Sequence, residues 1–240
     1  PGPLTMILKK SGLVPYETTG GLDTVAVRMP SDAVANRLIR LAGVPVAAPS
    51  ANTSGRPSPT MAGHVLEDMD GKIEMIIDGG PVGIGVESTI VDVSGEVPTL
   101  LRPGAVTMEM LRELLGHVEI DPAILGPMKE GMRPKAPGMK YKHYAPKADM
   151  MILEGAYTDV KREIERLRRE KEREGLKVGS ILFEESAFRE AAHDFFARLR
   201  DLDQAGVDLI IAGALSGEDQ VGFAVMNRMV KSAGYNIIKV

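Results

Sequence analysis

The sequence predicts an α/β protein with two domains. Its 240 residues suit two domains of ordinary size. Short apolar runs alternate with helical patterns over residues 1 to about 120, and the same alternation restarts near residue 149. Between them lies "DPAILGPMKEGMRPKAPGMKYKHYAPKA", which is rich in proline, glycine and lysine and has no sustained period. We therefore predict a first domain at 1–130, a linker at 131–148 and a second domain at 149–240.

The composition limits the classes of function. A hydrophobic fraction of 44% and a charged fraction of 26% are typical of a globular protein. No window approaches the roughly 18 apolar residues of a membrane-spanning helix, so we expect no membrane partner. The absence of cysteine fits a cytoplasmic protein, and we also expect a monomer or a weak dimer. The net charge of −4 gives no bulk attraction to nucleic acid. Without any cysteine, the chain excludes disulfides, thiolate catalysis and cysteine-bound zinc.

Each element of the first domain follows from a local pattern. "LTMIL" is a short apolar strand, and "TVAVRMP" alternates with period 2 until a proline closes it. "SDAVANRLIRLAG" starts on a serine, spaces Val34, Leu38 and Leu41 like one face of a helix, and stops at Gly43. Further strands are predicted at "VPVAAP", "IEMIIDGG" and "STIVDV". A further helix is predicted at "SPTMAGHVLEDMDG", and "TLLRPG" runs into another at "TMEMLRELLG".

The second domain repeats a strand–helix alternation. Strands are predicted at "MMILEG", "KVGSILFEE", "VDLIIAGAL" and "YNIIKV", and helices at "TDVKREIERLRREKEREG", "EAAHDFFARLRDLDQAG" and "GFAVMNRMVKSAG". Strands separated by helices predict a small, mostly parallel sheet. The first of these helices opens at Thr158 and closes at Gly175. Its charges alternate in sign, as in Glu165 and Arg169, which favours a solvated face over an RNA-binding one.

"VAAPSANTSGRPSPT", at 46–60, joins a predicted strand to a turn rich in hydroxyl groups. Ser58 before Pro59 is typical of the N-cap and first turn of a helix. The start of a helix offers free N–H groups and a positive dipole end, and the hydroxyls around it add neutral donors. This combination suits a phosphate group.

Two residues of the same turn favour that interpretation. Gly55 lets the backbone approach a ligand closely, and Arg56 adds positive charge. The turn is not a Walker loop, since the lysine and the glycine spacing of that motif are missing. The alternative is a plain turn, in which Ser50, Asn52 and Ser54 hydrogen-bond to nearby backbone. The residues alone leave both interpretations open.

An arginine follows the alternating strand of the first domain. Thr24, Ala26 and Arg28 share one face of that strand. A guanidinium at this place suits a carboxylate. An ordinary surface arginine is the alternative.

Three further features are weaker. "DGGPVGIGVESTIVD" runs from a glycine-rich loop to a strand with Ser88 at its mouth, and Arg102 precedes a Pro-Gly turn; both patterns also occur in plain exposed turns. His64, His117 and His193 lack metal-ligand spacing, so we predict no protein metal site. "PGMKYKHYAP" mixes cationic and aromatic groups, which suits a lid over an anionic ligand, with a plain linker as the alternative.

Four of these motifs together resemble one known family. "PSANTSGRPSPT", "GVESTIVD", "LRPGA" and "APGMKYKHYAP" look like threonylcarbamoyl-AMP synthase of the YrdC/Sua type, over essentially the whole chain. The resemblance implies a YrdC-like twisted open α/β catalytic domain and a small Rossmann-like α/β C-terminal domain. Family members carry a strand-and-helix region with a Lys-x-Arg motif ahead of "PGPLT", so we expect that an N-terminal part is missing here.

The resemblance also implies an activity. The family is a nucleotidyltransferase that joins L-threonine, bicarbonate or CO2, and ATP into threonylcarbamoyl-AMP and pyrophosphate, for N6-threonylcarbamoyladenosine at position 37 of tRNA. Mg2+ is expected to travel with the ATP phosphates, and the product to pass to a downstream tRNA threonylcarbamoyl transferase. No catalytic acid or base is implied, because positioning and charge neutralisation suffice. Direct tRNA binding stays open.

The implied site residues divide between two ligands. Arg28 would pair with the threonine carboxylate, with the Ala48 carbonyl and Ser88 completing the threonine pocket. The implied nucleotide residues are Thr24, Ser50, Ser58, Arg102 and Tyr141, the last of which would close over ATP from the linker. Asn52 and His143 are less certain neighbours. The competing hypotheses are an RNA-binding module without catalysis, and a carbamoyl-transfer domain of hydrogenase maturation.

Overall fold

A computed structural model describes residues 1–126, 143–215 and 219–240. The chain forms two compact units that are discontinuous in sequence. The first unit combines Pro1–Ser50 with Glu87–Met139, and the second combines Ala51–Val86 with Lys140–Val240. The segment 51–86 therefore packs with the C-terminal half of the chain, although we predicted it within a contiguous first domain. The predicted boundaries near the linker stay predictions, since most of 131–148 lies outside the described residues.

The first unit contains a mixed five-stranded sheet. Its elements are β1 (Leu4–Lys9), α1 (Tyr16–Thr19), β2 (Thr24–Val27), α2 (Ala33–Ala42), β3 (Thr89–Asp92), β4 (Thr99–Arg102), α4 (Met108–Leu115), β5 (Glu119–Ile120) and α5 (Pro122–Leu125). The strand order is β2-β1-β3-β4-β5. β1 runs parallel to β3 and antiparallel to β2, while β4 runs antiparallel to β3 and parallel to β5. Ile7, Ile90, Leu101 and Ala123 form its buried cluster.

The second unit contains an all-parallel sheet, where we predicted a mostly parallel one. Its elements are α3 (Ala62–Met69), β6 (Asp149–Glu154), α6 (Tyr157–Arg173), β7 (Val178–Ile181), α7 (Phe188–Ala205), β8 (Leu209–Gly213), α8 (Gln220–Ser232) and β9 (Ile237–Lys239). The strand order is β7-β8-β6-β9. Every residue of β8 is buried, which is typical of a central parallel strand covered by helices on both faces.

Two predicted strands are absent from the described structure. "VPVAAP" and "IEMIIDGG" both lack regular secondary structure. Each run offers apolar side chains, but Val44, Met75 and Ile77 are more than half exposed, and no neighbouring strand satisfies the backbone. The two prolines of the first run also remove ladder donors. The strand-to-helix corner predicted at 46–60 is therefore wrong in its strand half.

Several helix starts also differ from the sequence prediction. α2 is capped by Asp32, whose carboxylate accepts from the Ala35 N–H at 2.8 Å, and not by the preceding serine. α3 has Met61 at its N-cap, so Ser58 lies outside the helix. α6 begins at Tyr157, and not at Thr158, and ends at Arg173. Gly43 does end α2, in the left-handed conformation with φ 65° that glycine adopts most easily.

The charges on α6 form the exposed pairs expected of a solvated face. Arg166 bonds to Glu163 and Glu170, and Arg168 bonds to Glu172.

Within the described ranges, no helix combines the length and apolarity needed to cross a bilayer.

Candidate functional site

The first unit brings together two predicted site residues at the mouth of β3. Arg102 donates from Nε to the Ser88 carbonyl at 3.0 Å and from Nη2 to Ser88 Oγ at 3.2 Å. Ser88 Oγ also lies 2.8 Å from Thr5 Oγ1, and both hydroxyls are buried. The antiparallel pairing of β3 with β4 places Arg102 opposite Ile90, two residues after Ser88. The strand register therefore fixes a guanidinium beside a buried serine hydroxyl.

Thr5 belongs to this cluster but was missed by the sequence prediction. It lies on β1, which pairs in parallel with β3 and sets Thr5 opposite Ile90. The only signal in the sequence was a hydroxyl residue within the apolar run "LTMIL". A single threonine in a strand carries little information, because threonine is a common strand residue.

Thr89 holds the turn that follows Arg102. Its hydroxyl donates to the Val106 carbonyl at 2.7 Å and accepts from the Val106 N–H at 3.1 Å. Gly104 packs so closely on Thr89 that a β-carbon would lie 2.6 Å from the Thr89 nitrogen. The Pro-Gly turn after Arg102 is thus not a plain exposed turn, and glycine is required by the close approach.

Four other predicted residues lie elsewhere in the first unit. Thr24 begins β2 opposite Lys9, and Arg28 follows the last residue of that strand with its side chain exposed. Ala48 and Ser50 are exposed in the irregular run that replaces the predicted strand. In the sheet, β1 lies between β2 and β3, so the strand that carries Thr24 is not paired with the strand that follows Ser88.

The turn at 51–57 belongs to the second unit and is partly closed by its own side chains. The Asn52 amide donates to the carbonyls of Thr53 at 2.9 Å and Arg56 at 3.3 Å. These are hydrogen bonds to nearby backbone, of the kind that the plain-turn alternative predicts for Asn52. Gly55 has φ 89°, a conformation that favours glycine, and its carbonyl accepts from the Ala145 N–H at 2.8 Å.

Arg56 does not supply free positive charge to this turn, and that expectation is wrong. Its guanidinium bonds to Glu67 at 2.9 Å and to Asp68, and lies 3.9 Å from Asp203. Burial works against the charged form, but the hydrogen bond to Glu67 and the surrounding carboxylates raise the pKa of Arg56. Because its partners are acidic and close, Arg56 serves an internal ion-pair network.

Ser58 is buried just before α3, and a histidine organises the same region. His64 Nδ1 accepts from the Thr60 N–H at 3.1 Å, and its ring is buried. Burial, assisted by the nearby Arg200 charge, lowers the pKa of His64. The neutral ring is thus favoured, and His64 has a structural role, in line with its lack of metal-ligand spacing in the sequence.

The sequence prediction missed the ion-pair partners in the second unit. Arg200 on α7 and Asp68 on α3 are both buried and joined by a hydrogen bond of 2.8 Å. The two residues are separated by 132 positions. The spacing of residues along the chain gives no sign of a pair this far apart. An arginine within a charged helix is normally expected to lie in solvent.

Only part of the predicted lid lies within the described residues. Tyr141 lies outside the described residues. His143 is half-buried, and its ring packs edge-on against Tyr144 with centroids 4.1 Å apart. Tyr144 is buried against Phe196 of α7. Over 1–126, 143–215 and 219–240, no group of three or more acidic or histidine side chains is arranged to hold a metal ion.

Two family models match nearly the whole chain. The Sua5/YciO/YrdC model, described as telomere recombination, matches residues 1–104, and the model for the C-terminal domain of threonylcarbamoyl-AMP synthase matches residues 106–234. A threonylcarbamoyl-AMP synthase from Pyrococcus abyssi is 49% identical over 100% of this chain and 73% of its own length. The chain belongs to the threonylcarbamoyl-AMP synthase family. A synthase from Bacillus subtilis is 42% identical over 100% of this chain and 72% of its own length.

The fold agrees with that of a solved family member. The crystal structure of Pyrococcus abyssi Sua5 complexed with L-threonine matches with a TM-score of 0.94 and 49% identity, over 100% of this chain and 73% of that one. A doubly substituted form of the same relative matches with a TM-score of 0.92 and 47% identity, over 100% of this chain and 72% of that one. The predicted fold class, a YrdC-like α/β domain with a small α/β C-terminal domain, is therefore confirmed.

Proposed function

We propose that this protein forms threonylcarbamoyl-AMP and pyrophosphate from L-threonine, bicarbonate or CO2, and ATP. One observation carries the proposal. The fold matches, with a TM-score of 0.94, that of a 49% identical relative crystallised with L-threonine. Curated relatives at 42–49% identity carry the name of this activity.

The threonine site is assigned to the first unit. The Arg28 guanidinium pairs with the threonine carboxylate, because a planar fork of donors matches a carboxylate in bidentate geometry. The Ala48 carbonyl and the Ser88 hydroxyl complete this pocket. Support comes from the exposure of Arg28, which leaves its guanidinium accessible to a small ligand, and from the bonds that fix the Ser88 hydroxyl.

The nucleotide is assigned to neutral donors and one guanidinium. The residues are Thr24, Ser50, Ser58, Arg102 and Tyr141, with Asn52 and His143 as neighbours. Arg102 is the strongest of these on physical grounds, since its two bonds to Ser88 hold a cation in one orientation. A pre-oriented cation stabilises charge that develops on phosphate oxygens without reorganising at the moment of reaction. Mg2+ enters with the nucleotide as part of the MgATP substrate.

The reaction needs few proton transfers from the protein. The threonine amine adds to the carbon of CO2 and loses a proton, which gives a carbamate. One carbamate oxygen then attacks the α-phosphorus of ATP in line, and the bond to the bridging oxygen breaks as pyrophosphate leaves. Positioning of the carbamate and neutralisation of phosphate charge supply the catalysis, as in other phosphoryl and nucleotidyl transfers.

The biological setting follows from the product. A mixed anhydride of a carbamate and AMP is an activated acyl donor, so we propose that it passes to a tRNA threonylcarbamoyl transferase in the cytoplasm. An RNA-binding module without catalysis is the second hypothesis from the sequence. The acidic net charge of −4 disfavours it.

The test is pyrophosphate release by the full gene product. Release should require both L-threonine and bicarbonate. Arg28→Ala should raise the KM for L-threonine by about 10- to 100-fold, since a charge-assisted hydrogen bond contributes about 1.5–3 kcal/mol. Arg112→Ala, which removes an exposed arginine of α4, is the matched control and should leave that KM unchanged. Equal release with L-serine, or with no amino acid, would contradict the proposal.

A further inference from the structure

Arg200 is a buried cation in the second unit that contacts the candidate nucleotide turn. Its side chain is fully buried on α7. Nη2 donates to the Pro57 carbonyl at 2.7 Å and to Asp68 Oδ2 at 2.8 Å, and Nη1 lies 3.4 Å from Asp68 Oδ1 and from Glu67 Oε2. One guanidinium therefore fixes the peptide that immediately precedes Ser58.

Asp68 extends this control to the other end of the turn. Its Oδ2 accepts from the Thr53 N–H at 3.1 Å, and its Oδ1 bonds to Arg56. Burial opposes ionisation, but the hydrogen bonds from Arg200 and Thr53 and the two guanidinium charges lower the pKa of Asp68. The pair of Arg200 and Asp68 thus holds two backbone groups of the turn at 51–57, the Thr53 N–H and the Pro57 carbonyl.

The same segment is anchored to α7 at a second place. A β-carbon at Gly85 would overlap the carbonyl oxygens of Ala192 and His193, so the backbone lies directly on the helix. The next residue, Val86, is buried in the apolar cluster that includes Phe195 and Phe196. Both ends of 51–86 are therefore held by α7, one by charge and one by close packing.

A buried ion-pair network is a poor choice for stability alone. The desolvation of the charged groups offsets most of their attraction, and apolar residues of similar volume often stabilise as well or better. The network's value here is geometric, because Arg200 donates to the Pro57 carbonyl and Asp68 accepts from the Thr53 N–H, and these two bonds restrain the backbone of the turn.

We propose that the C-terminal α/β unit acts as a positioning element for ATP, with Arg200 as the positioning residue that orients Ser58 through the Pro57 carbonyl and Asp68. This inference rests on the proposed function, in which Ser58 binds the nucleotide. It assigns the second unit a role in ATP binding, since Arg200 of that unit contacts the turn that precedes Ser58. The residues assigned to threonine, by contrast, all lie in the first unit.

The kinetic test compares Arg200→Met with Arg189→Met in the full gene product. Both remove an arginine of α7, but Arg189 is exposed. Arg200→Met should raise the KM for ATP at least about tenfold and leave the KM for L-threonine within about twofold; Arg189→Met should change neither. Asp68→Asn, which is nearly isosteric, should reproduce the ATP effect. If Arg200→Met and Asp68→Asn both lower kcat and leave the KM for ATP and the KM for L-threonine unchanged, the positioning role is overturned. That pattern means only that a smaller fraction of the enzyme is folded.

A second measurement is independent of the activity. Amide hydrogen exchange of 53–58 in the nucleotide-free protein should be faster in Arg200→Met and Asp68→Asn than in Arg189→Met, by at least about tenfold at Thr53. Unchanged exchange would overturn the inference even if the variants lose activity. Absence of threonine-dependent pyrophosphate release from the unsubstituted protein would count against the proposed function instead, and the exchange result would still decide the positioning role.

Discussion

The two units differ in how completely they bury their apolar side chains. In the second unit, Ile152, Phe195 and Ile210 are fully buried between a parallel sheet and its helices. In the first unit, α2 has no buried residue, and Leu38 and Leu41 of its apolar face are 47% and 73% exposed. The first unit carries the residues assigned to threonine, and the second carries the network around Ser58.

This difference holds for these 240 residues, which span 73% of the Pyrococcus abyssi relative, and within them it indicates a division of labour. Elements with few buried apolar contacts open at low free energy, whereas packed cores open only with global unfolding. We therefore expect the second unit to hold its segment 51–86 in one conformation before any ligand binds. The first unit should gain the most stability when a ligand binds, because a ligand that binds only the folded state stabilises that state by mass action.

The largest effect is expected from a truncation in the core of the second unit. Phe195→Ala should lower the free energy of unfolding by about 3–5 kcal/mol, since it leaves a cavity among fully buried neighbours. Leu38→Ala on α2 is the contrasting change and should cost within about 0.5 kcal/mol, as for an exposed site. Native-state hydrogen exchange would report each unit separately. If Phe195→Ala and Leu38→Ala lower the free energy of unfolding equally, the two units do not differ in how their packing contributes to stability.

A slightly smaller effect is expected at the buried ion pair. Asp68→Asn leaves the Arg200 guanidinium with reduced compensation and should cost about 3 kcal/mol, the low end for breaking a buried pair, because Glu67 remains 3.4 Å away. Glu170→Gln, which breaks an exposed pair with Arg166 on α6, should cost about 0–1 kcal/mol. Urea denaturation followed by circular dichroism measures both. A cost below about 1 kcal/mol for Asp68→Asn would mean that the network is dispensable.

The first unit contains one polar bridge whose loss should be measurable. Thr89→Val keeps the shape of the buried side chain but leaves the N–H and C=O of Val106 without their hydroxyl partner. The expected cost is about 1–3 kcal/mol. Thr99→Val, on the neighbouring strand, replaces an exposed hydroxyl and is the control. If the two variants are equally stable, the turn after Arg102 is held by packing alone.

The smallest effect is a dependence on pH. Because burial and Arg200 lower the pKa of His64 below its value of about 6.5 in the unfolded chain, unfolding takes up a proton between the two values. The stability that comes from keeping the His64 ring neutral is present above about pH 6.5. It is lost as the pH falls through the lowered pKa of the folded state. His64→Gln should remove this part of the slope. Parallel stability curves between about pH 8 and pH 5 for the two proteins would contradict it.

The sequence predicted the second unit better than the first for a physical reason. Apolar runs such as "VDLIIAGAL" bury on both faces of a parallel sheet, so their pattern and their structure coincide. "VPVAAP" and "IEMIIDGG" have the same apolar character but no partner strand in the described structure, and a local pattern cannot report a missing partner. The failure at Ser58 is similar, since Pro59 suggested a helix start that lies at Met61 instead.

The candidate site was predictable only where its residues act through local motifs. Ser88 and Arg102 came from two short motifs, and the strand register then brought them into contact. Arg56 was misread because its carboxylate partners lie on α3 and α7, 11 or more positions away in the chain. Arg200 and Asp68 were missed for the same reason. Long-range ion pairs are set by tertiary packing, which a single sequence does not display.

The most direct test of the account is hydrogen exchange of the full gene product with L-threonine, first alone and then with ATP. L-threonine alone should slow exchange at 24–28 and 88–102 in the first unit, and ATP should add protection at 50–58. Protection confined to 149–240, with no change at those three segments, would contradict the assignment of both substrates and with it the division of labour between the units.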